Sequence, residues 1–133
     1  MNELDEIASR VLAQLEEAHS ENVTSTMNTI FEVSGQESEL SDMQAALREL
    51  IASDLVRIGY EDTRAGKIIA VSKEQSMADT VNLTSQINFN DSEGIWKWDK
   101  RFPRSQIVAT SSGLVVADKL LQMRGYQWWR QRD

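Results

Sequence analysis

Between Ser53 and Leu55 the hydrophobic period of the chain changes, and that change restricts the available folds. Leu40, Met43, Ala46, Leu47, Leu50 and Ile51 follow the three-and-four spacing of one helical face. The spacing predicts a helix over 39–53, opened by Ser38 or Glu39. Leu55, Val56 and Ile58 then follow close together, and Lys67-Ile68-Ile69-Ala70-Val71 is a β-rich run. The intervening Glu61-Asp62-Thr63-Arg64-Ala65-Gly66 has hairpin length and ends in glycine. A one-sided helix feeding straight into a ribbon must share a core with it, so the class is α+β.

The remaining segments extend this pattern. Leu4, Ile7, Ala8, Val11, Leu12, Leu15 and Ala18 predict a first helix ending near Ser20, with Asn2 as its cap. A shorter helix is expected over 25–34, capped by Thr24 or Ser25 and stopped by Gly35. Val81, Leu83, Ile87 and Phe89 alternate with polar residues and predict a third strand. The preceding 76–80 reads as one helical turn or a loop. Asn90-Asp91-Ser92-Glu93-Gly94 is a turn, residues 95–99 return as a strand, and Pro103 ends it. Ile107 and Ala109 suggest one more short strand. A last helix opens at Ser111 or Ser112 with Leu114, Ala117, Leu120 and Leu121 on one side, and stops at Gly125.

Composition removes several classes of function. The chain has no cysteine, so disulfides and thiolate metal sites are excluded. Met1 to Asp5 hold acids and no apolar run, and no segment approaches the roughly 20 apolar residues that span a bilayer. No membrane association and a cytoplasmic location are therefore expected. Arg64-Ala65-Gly66-Lys67 lacks phosphate-loop spacing, and Asp91-Ser92-Glu93-Gly94 has too few ligands for a calcium loop. His19 stands alone at the end of the first helix. Neither catalysis nor a cofactor or metal is expected. Charge is unevenly placed: residues 1–62 hold 14 acids against Arg10, Arg48 and Arg57, a net of −11. Residues 63–133 hold 11 bases against 7 acids, a net of +4, so a polyanion would favour the second half.

Two stretches carry a family likeness. Met43 to Ile58, MQAALRELIASDLVRI, resembles a recognition helix running into the first wing strand of bacterial transcription regulators. Ile107 to Gly125, IVATSSGLVVADKLLQMRG, resembles the strand, Ser-Gly turn and C-terminal helix that follow a wing. The resemblance implies one winged-helix-like domain over 1–133, with three N-terminal helices, antiparallel hairpins and a C-terminal helix. Residues 72–106 exceed an ordinary wing and imply an enlarged hairpin or an inserted one. Glu37, Glu39 and Asp42 at the start of the presumed recognition helix depart from what DNA would favour.

On that likeness the expected function is a dimeric regulator that binds double-stranded DNA. Ser41, Gln44, Ala45 and Arg48 lie off the apolar stripe, and Gln44 and Arg48 suit base edges. Lys97, Lys100, Arg101 and Arg104, interleaved with Trp96, Trp98 and Phe102, suit phosphates and stacking. The plainer reading has Trp96 and Trp98 in the core and the bases on a solvated edge. Trp128 and Trp129 cannot point the same way, so with Arg130 they suggest a homodimer interface; otherwise the tail folds back over the core. The alternative function is an acidic protein-interaction or adaptor module of phage or plasmid accessory type, with a protein partner.

Overall fold

Asp5 begins the first helix: its side chain accepts from the Ile7 amide, and helix α1 (Glu6–Ala18) follows. Asn2, the expected cap, lies outside the residues that this computed structural model describes, namely 4–126, Trp128 and Trp129. Ala8, Val11, Leu12, Ala13 and Leu15 are almost fully buried. That is broader than a surface stripe because other helices flank α1 on several sides. Each fully buried Leu or Val contributes about 2 kcal/mol of transfer free energy. His19 takes a left-handed conformation (φ +67°), donates its amide to the Leu15 carbonyl and turns the chain into strand β1 (Ser20–Asn22).

Strand β1 was not legible as a strand, and the expected cap of the next helix shifts with it. Asn22, rather than Thr24 or Ser25, caps helix α2 (Val23–Ile30) by accepting from the Ser25 amide at 2.8 Å. The helix stops at Ile30, short of Ser34, because Phe31 becomes extended. Gly35 does not terminate it. Gly35 instead holds φ +85° against the Phe89 ring, where a Cβ would come within 2.7 Å of the ring carbons. Helix α3 (Glu37–Ala52) begins ahead of the expected Ser38 or Glu39 and buries Leu40, Met43, Ala46, Leu47, Leu50 and Ile51, the stripe read from sequence. Glu39 accepts from the Ser34 and Gly35 amides and so ties down the incoming loop.

After α3 come strands β2 (Val56–Asp62) and β3 (Lys67–Ala70), joined where Asp62 Oδ1 accepts from the Arg64 and Ala65 amides. Residues 72–106 then depart from the expected hairpin-rich wing. The alternation over 81–89 is not one strand: helix α4 (Lys73–Val81) and the short helix α5 (Leu83–Gln86) occupy most of it. Only strand β4 (Ile87–Asn90) is extended, pairing with β5 (Ile95–Trp98) as a separate two-stranded ribbon. Val81 is 59% exposed, so its place in the alternation was incidental. The helical period of α4 was hidden because its buried face is polar, made of Ser76 and Thr80. Ser72 caps it by accepting from the Gln75 amide.

Strand β6 (Gln106–Ala109) closes the main sheet. The order is β1-β6-β2-β3, antiparallel throughout, with Ile107 opposite both Glu21 and Ile58. Helix α6 (Ser111–Arg124) packs along α1, and Thr110 caps it by accepting from the Gly113 amide. The Thr110 hydroxyl also donates to the Asp54 carbonyl, which pins α6 to the start of β2. No helix among the described residues is long and apolar enough to cross a membrane.

The α6–β2 junction gives a direct test of this packing. Gly113 lies so close to the Leu55 main chain that a Cβ would overlap the Leu55 carbonyl oxygen. Alanine favours a helix over glycine by about 1 kcal/mol, but overpacking against fixed backbone costs more. Gly113→Ala should therefore lower the unfolding free energy by about 2 kcal/mol in urea denaturation. An increase in stability would show that α6 does not sit against Leu55.

Candidate functional site

Part of the α3 face that the sequence offers to DNA, the part carrying Gln44 and Arg48, is occupied. Helix α4 lies across it, and Gln44 Nε2 donates to the Thr80 carbonyl at 2.8 Å. Arg48 Nη1 donates to the Met77 carbonyl at 3.0 Å and to Thr80 Oγ1 at 2.8 Å. These acceptors, two carbonyls and a hydroxyl, lie in the C-terminal half of α4, near the negative end of its dipole. Gln44 and Arg48 are thus a C-terminal clasp for a neighbouring helix. Of the remaining residues named for that face, Ser41 and Ala45 are exposed, beside exposed Asp42.

The basic segment divides into two pairs. Lys97 is ion-paired with Glu93 at 3.1 Å. Arg101 grips Asp99 through Nε and Nη2, the closest contact being 2.7 Å, and lies over the Phe102 ring. Hydrogen bonding by Arg101 holds the Asp99 carboxyl down at about 2. Lys100 and Arg104 have no acid partner among the described residues. With Tyr60, Glu61, Trp98, Phe102, Pro103 and Gln106 they line an open groove of about 370 Å³. Trp96 and Trp98 are 4% and 9% exposed, which is the core placement rather than the stacking one. Trp98 Nε1 donates to the Phe102 carbonyl and shapes the loop that carries both free cations.

Within the tail, Trp128 and Trp129 turn back onto the body of the fold. Trp129 is 5% exposed and its Nε1 donates to Gln14 Oε1 at 2.7 Å, so it belongs to the core over α1 rather than to an interface. Trp128 is half-buried, with the Arg124 guanidinium 3.5 Å from its ring centre. A large apolar ring next to α1 gains more by covering that helix than by standing in water. Arg130, the third residue named for this interface, lies outside the described residues. His19 is exposed at the C-terminal end of α1.

Three residues that hold this region together were not singled out from sequence. Asn28 receives the Trp96 amide on Oδ1 and gives Nδ2 to the Trp96 carbonyl, both at 2.9 Å, and so acts as a partner for one residue of β5. Its signal was an Asn inside a helix, a position such a residue seldom favours. Tyr60 donates its hydroxyl to Asp79 at 2.7 Å, and Asp79 also accepts from Gln75. No spacing rule links residues so far apart. Among the described residues no cluster of acids or histidine could hold a metal ion. No protein-family model, curated protein or solved structure matches the chain.

Tyr60 provides a titration test. Burial, reinforced by the bond to Asp79, pushes its hydroxyl above the ordinary value of 10. Its contribution to stability is therefore complete below pH 10 and is lost as pH rises through the raised value. In a Tyr126→Phe background, phenolate absorbance should report Tyr60 ionising above 10, and Asp79→Asn should bring it back toward 10. Ionisation at or below 10 in the parent would mean that α4 does not hold Tyr60 in solution.

Proposed function

We propose that this protein is a non-enzymatic interaction domain of winged-helix-like layout whose partner is another protein. The layout is supported by three helices running into an antiparallel ribbon, with residues 71–105 inserted between β3 and β6. The protein-binding reading rests on one observation: α4 packs along the Gln44–Arg48 side of α3 and uses those two residues as its clasp.

The energetics favour keeping that clasp closed. Hydrogen bonds from a charged donor are worth about 1.5–3 kcal/mol each. A good bidentate base contact is worth about 1–3 kcal/mol. Releasing Arg48 to read a base would exchange one for the other with no gain, and would also separate α4 from Ile58. The acidic first half adds repulsion for any polyanion approaching α3. Trp129, bonded to Gln14, is engaged within the fold, which takes one of the two tryptophans away from a dimer contact.

Duplex binding is the second reading, favoured by Lys100 and Arg104 having no acid partner among the described residues. In that reading the groove beside them, not α3, would meet the phosphates.

Fluorescence anisotropy with a labelled mixed-sequence duplex at low salt separates the readings. No salt-sensitive binding is expected. Gln44→Ala combined with Arg48→Ala should lower stability by about 2 kcal/mol and leave duplex affinity unchanged. Tight duplex binding that this folded double variant abolishes would overturn the proposal.

A further inference from the structure

The groove at Lys100 and Arg104 adjoins an interruption in the main sheet. Strand β6 begins at Gln106, opposite Gly59, whereas β2 continues to Asp62. Beyond Gly59, β2 therefore has β3 on one side and no strand on the other. The direction of its main-chain groups follows from three bonds. Ile58 donates its amide to Ser76 Oγ and its carbonyl accepts from Val71, while the Asp62 carbonyl accepts from Gly66. All of these lie on the β3 side. With alternation along a strand, the amide and carbonyl of Glu61 face the opposite side, where the groove opens.

Three features thus converge within one opening of about 370 Å³. There is a donor and acceptor pair on the Glu61 main chain. There is an aromatic and apolar lining from Tyr60, Trp98, Phe102 and Pro103. There are two cations that no acid of the described chain neutralises, although the same loop pairs Lys97 and Arg101.

We infer that this groove takes an extended acidic segment of a partner protein, joined to the Glu61 main chain and to Lys100 and Arg104. The inference rests on the protein-binding reading above and gives it a site. Adding a strand to an open sheet edge supplies affinity through the main chain, while the flanking side chains choose the sequence. Two cations select carboxylates in the segment. The net charge of −7 does not forbid this, because at physiological salt exposed charges are screened beyond about 8 Å and the groove's own residues decide. A rigid duplex has no main-chain donor or acceptor to match Glu61, and its width suits a convex surface rather than a groove beside a strand.

The test uses the full chain labelled with nitrogen-15 and a fluorescein-tagged octapeptide of alternating Glu and Val. Binding should shift the Glu61 amide and the Trp98 indole resonances. Lys100→Ala with Arg104→Ala should weaken binding about tenfold, and both positions are exposed, so the fold should survive. A peptide N-methylated at alternate residues should lose binding, which a purely ionic site would not require. The inference is overturned if the Lys-Val peptide binds as well, if inorganic phosphate competes as effectively as the Glu-Val peptide, or if the N-methylated peptide retains affinity. Absence of peptide binding together with absence of duplex binding removes this site and leaves the protein-binding reading intact. Duplex binding lost in the Lys100 and Arg104 variant removes both.

Discussion

The arrangement depends on a seam of polar contacts between α4 and the α3–β2 unit. Ser76 takes the Ile58 amide, Arg48 and Gln44 close the C-terminal turn of α4, and Asp79 takes the Tyr60 hydroxyl. Each contact satisfies a group that would otherwise be buried without a partner, at a cost of about 1–3 kcal/mol. A seam of this kind is stiffer in its geometry than an apolar one, since displacing α4 slightly breaks several bonds at once. The seam engages Gln44 and Arg48 of α3 and leaves the far end of β2 as the open part of the sheet.

The second anchored unit is the β4–β5 ribbon, which has only two strands and could not persist alone. Asn28 on α2 holds the Trp96 main chain, and Trp96 Nε1 reaches Glu39, which also gathers the Ser34 and Gly35 amides. The Trp96 and Phe89 rings meet edge-to-face at 5.4 Å and cover this contact. Because Trp96 and Trp98 are both turned inward, the loop after β5 is drawn tight and presents its cations beside β2.

How much of this was legible follows from the kind of force involved. The stripes of α1 and α3, the β2–β3 hairpin and the start of α6 were readable because apolar burial at a regular period determines them. Helix α4 was not, because its inner face is Ser76 and Thr80, and polar residues carry no hydrophobic period. Its alternating tail imitated a strand, yet Leu83 and Ile87 are buried from different elements. The candidate site was partly legible. The basic residues at 97–104 were identified, but which of them remain unpaired depends on Glu93 and Asp99 finding Lys97 and Arg101 in the folded loop. Gln44 and Arg48 were correctly read as lying off the apolar stripe of α3, and what covers that face could not be read without α4.

Charge placement connects these points. Half of the acids of the first half lie on α1 and α3, helices whose apolar faces form the core, so that share of the acidic surface comes from solvating their outer sides. The bases of the second half are distributed differently: some neutralise neighbours, as Arg124 does with Glu6 at 2.9 Å, while Lys100 and Arg104 at the groove, like Arg64, Lys67 and Lys119 elsewhere, have no acid partner among the described residues. What distinguishes Lys100 and Arg104 from the other cations without an acid partner is their position beside an open stretch of β2, and the proposed binding role draws on that position.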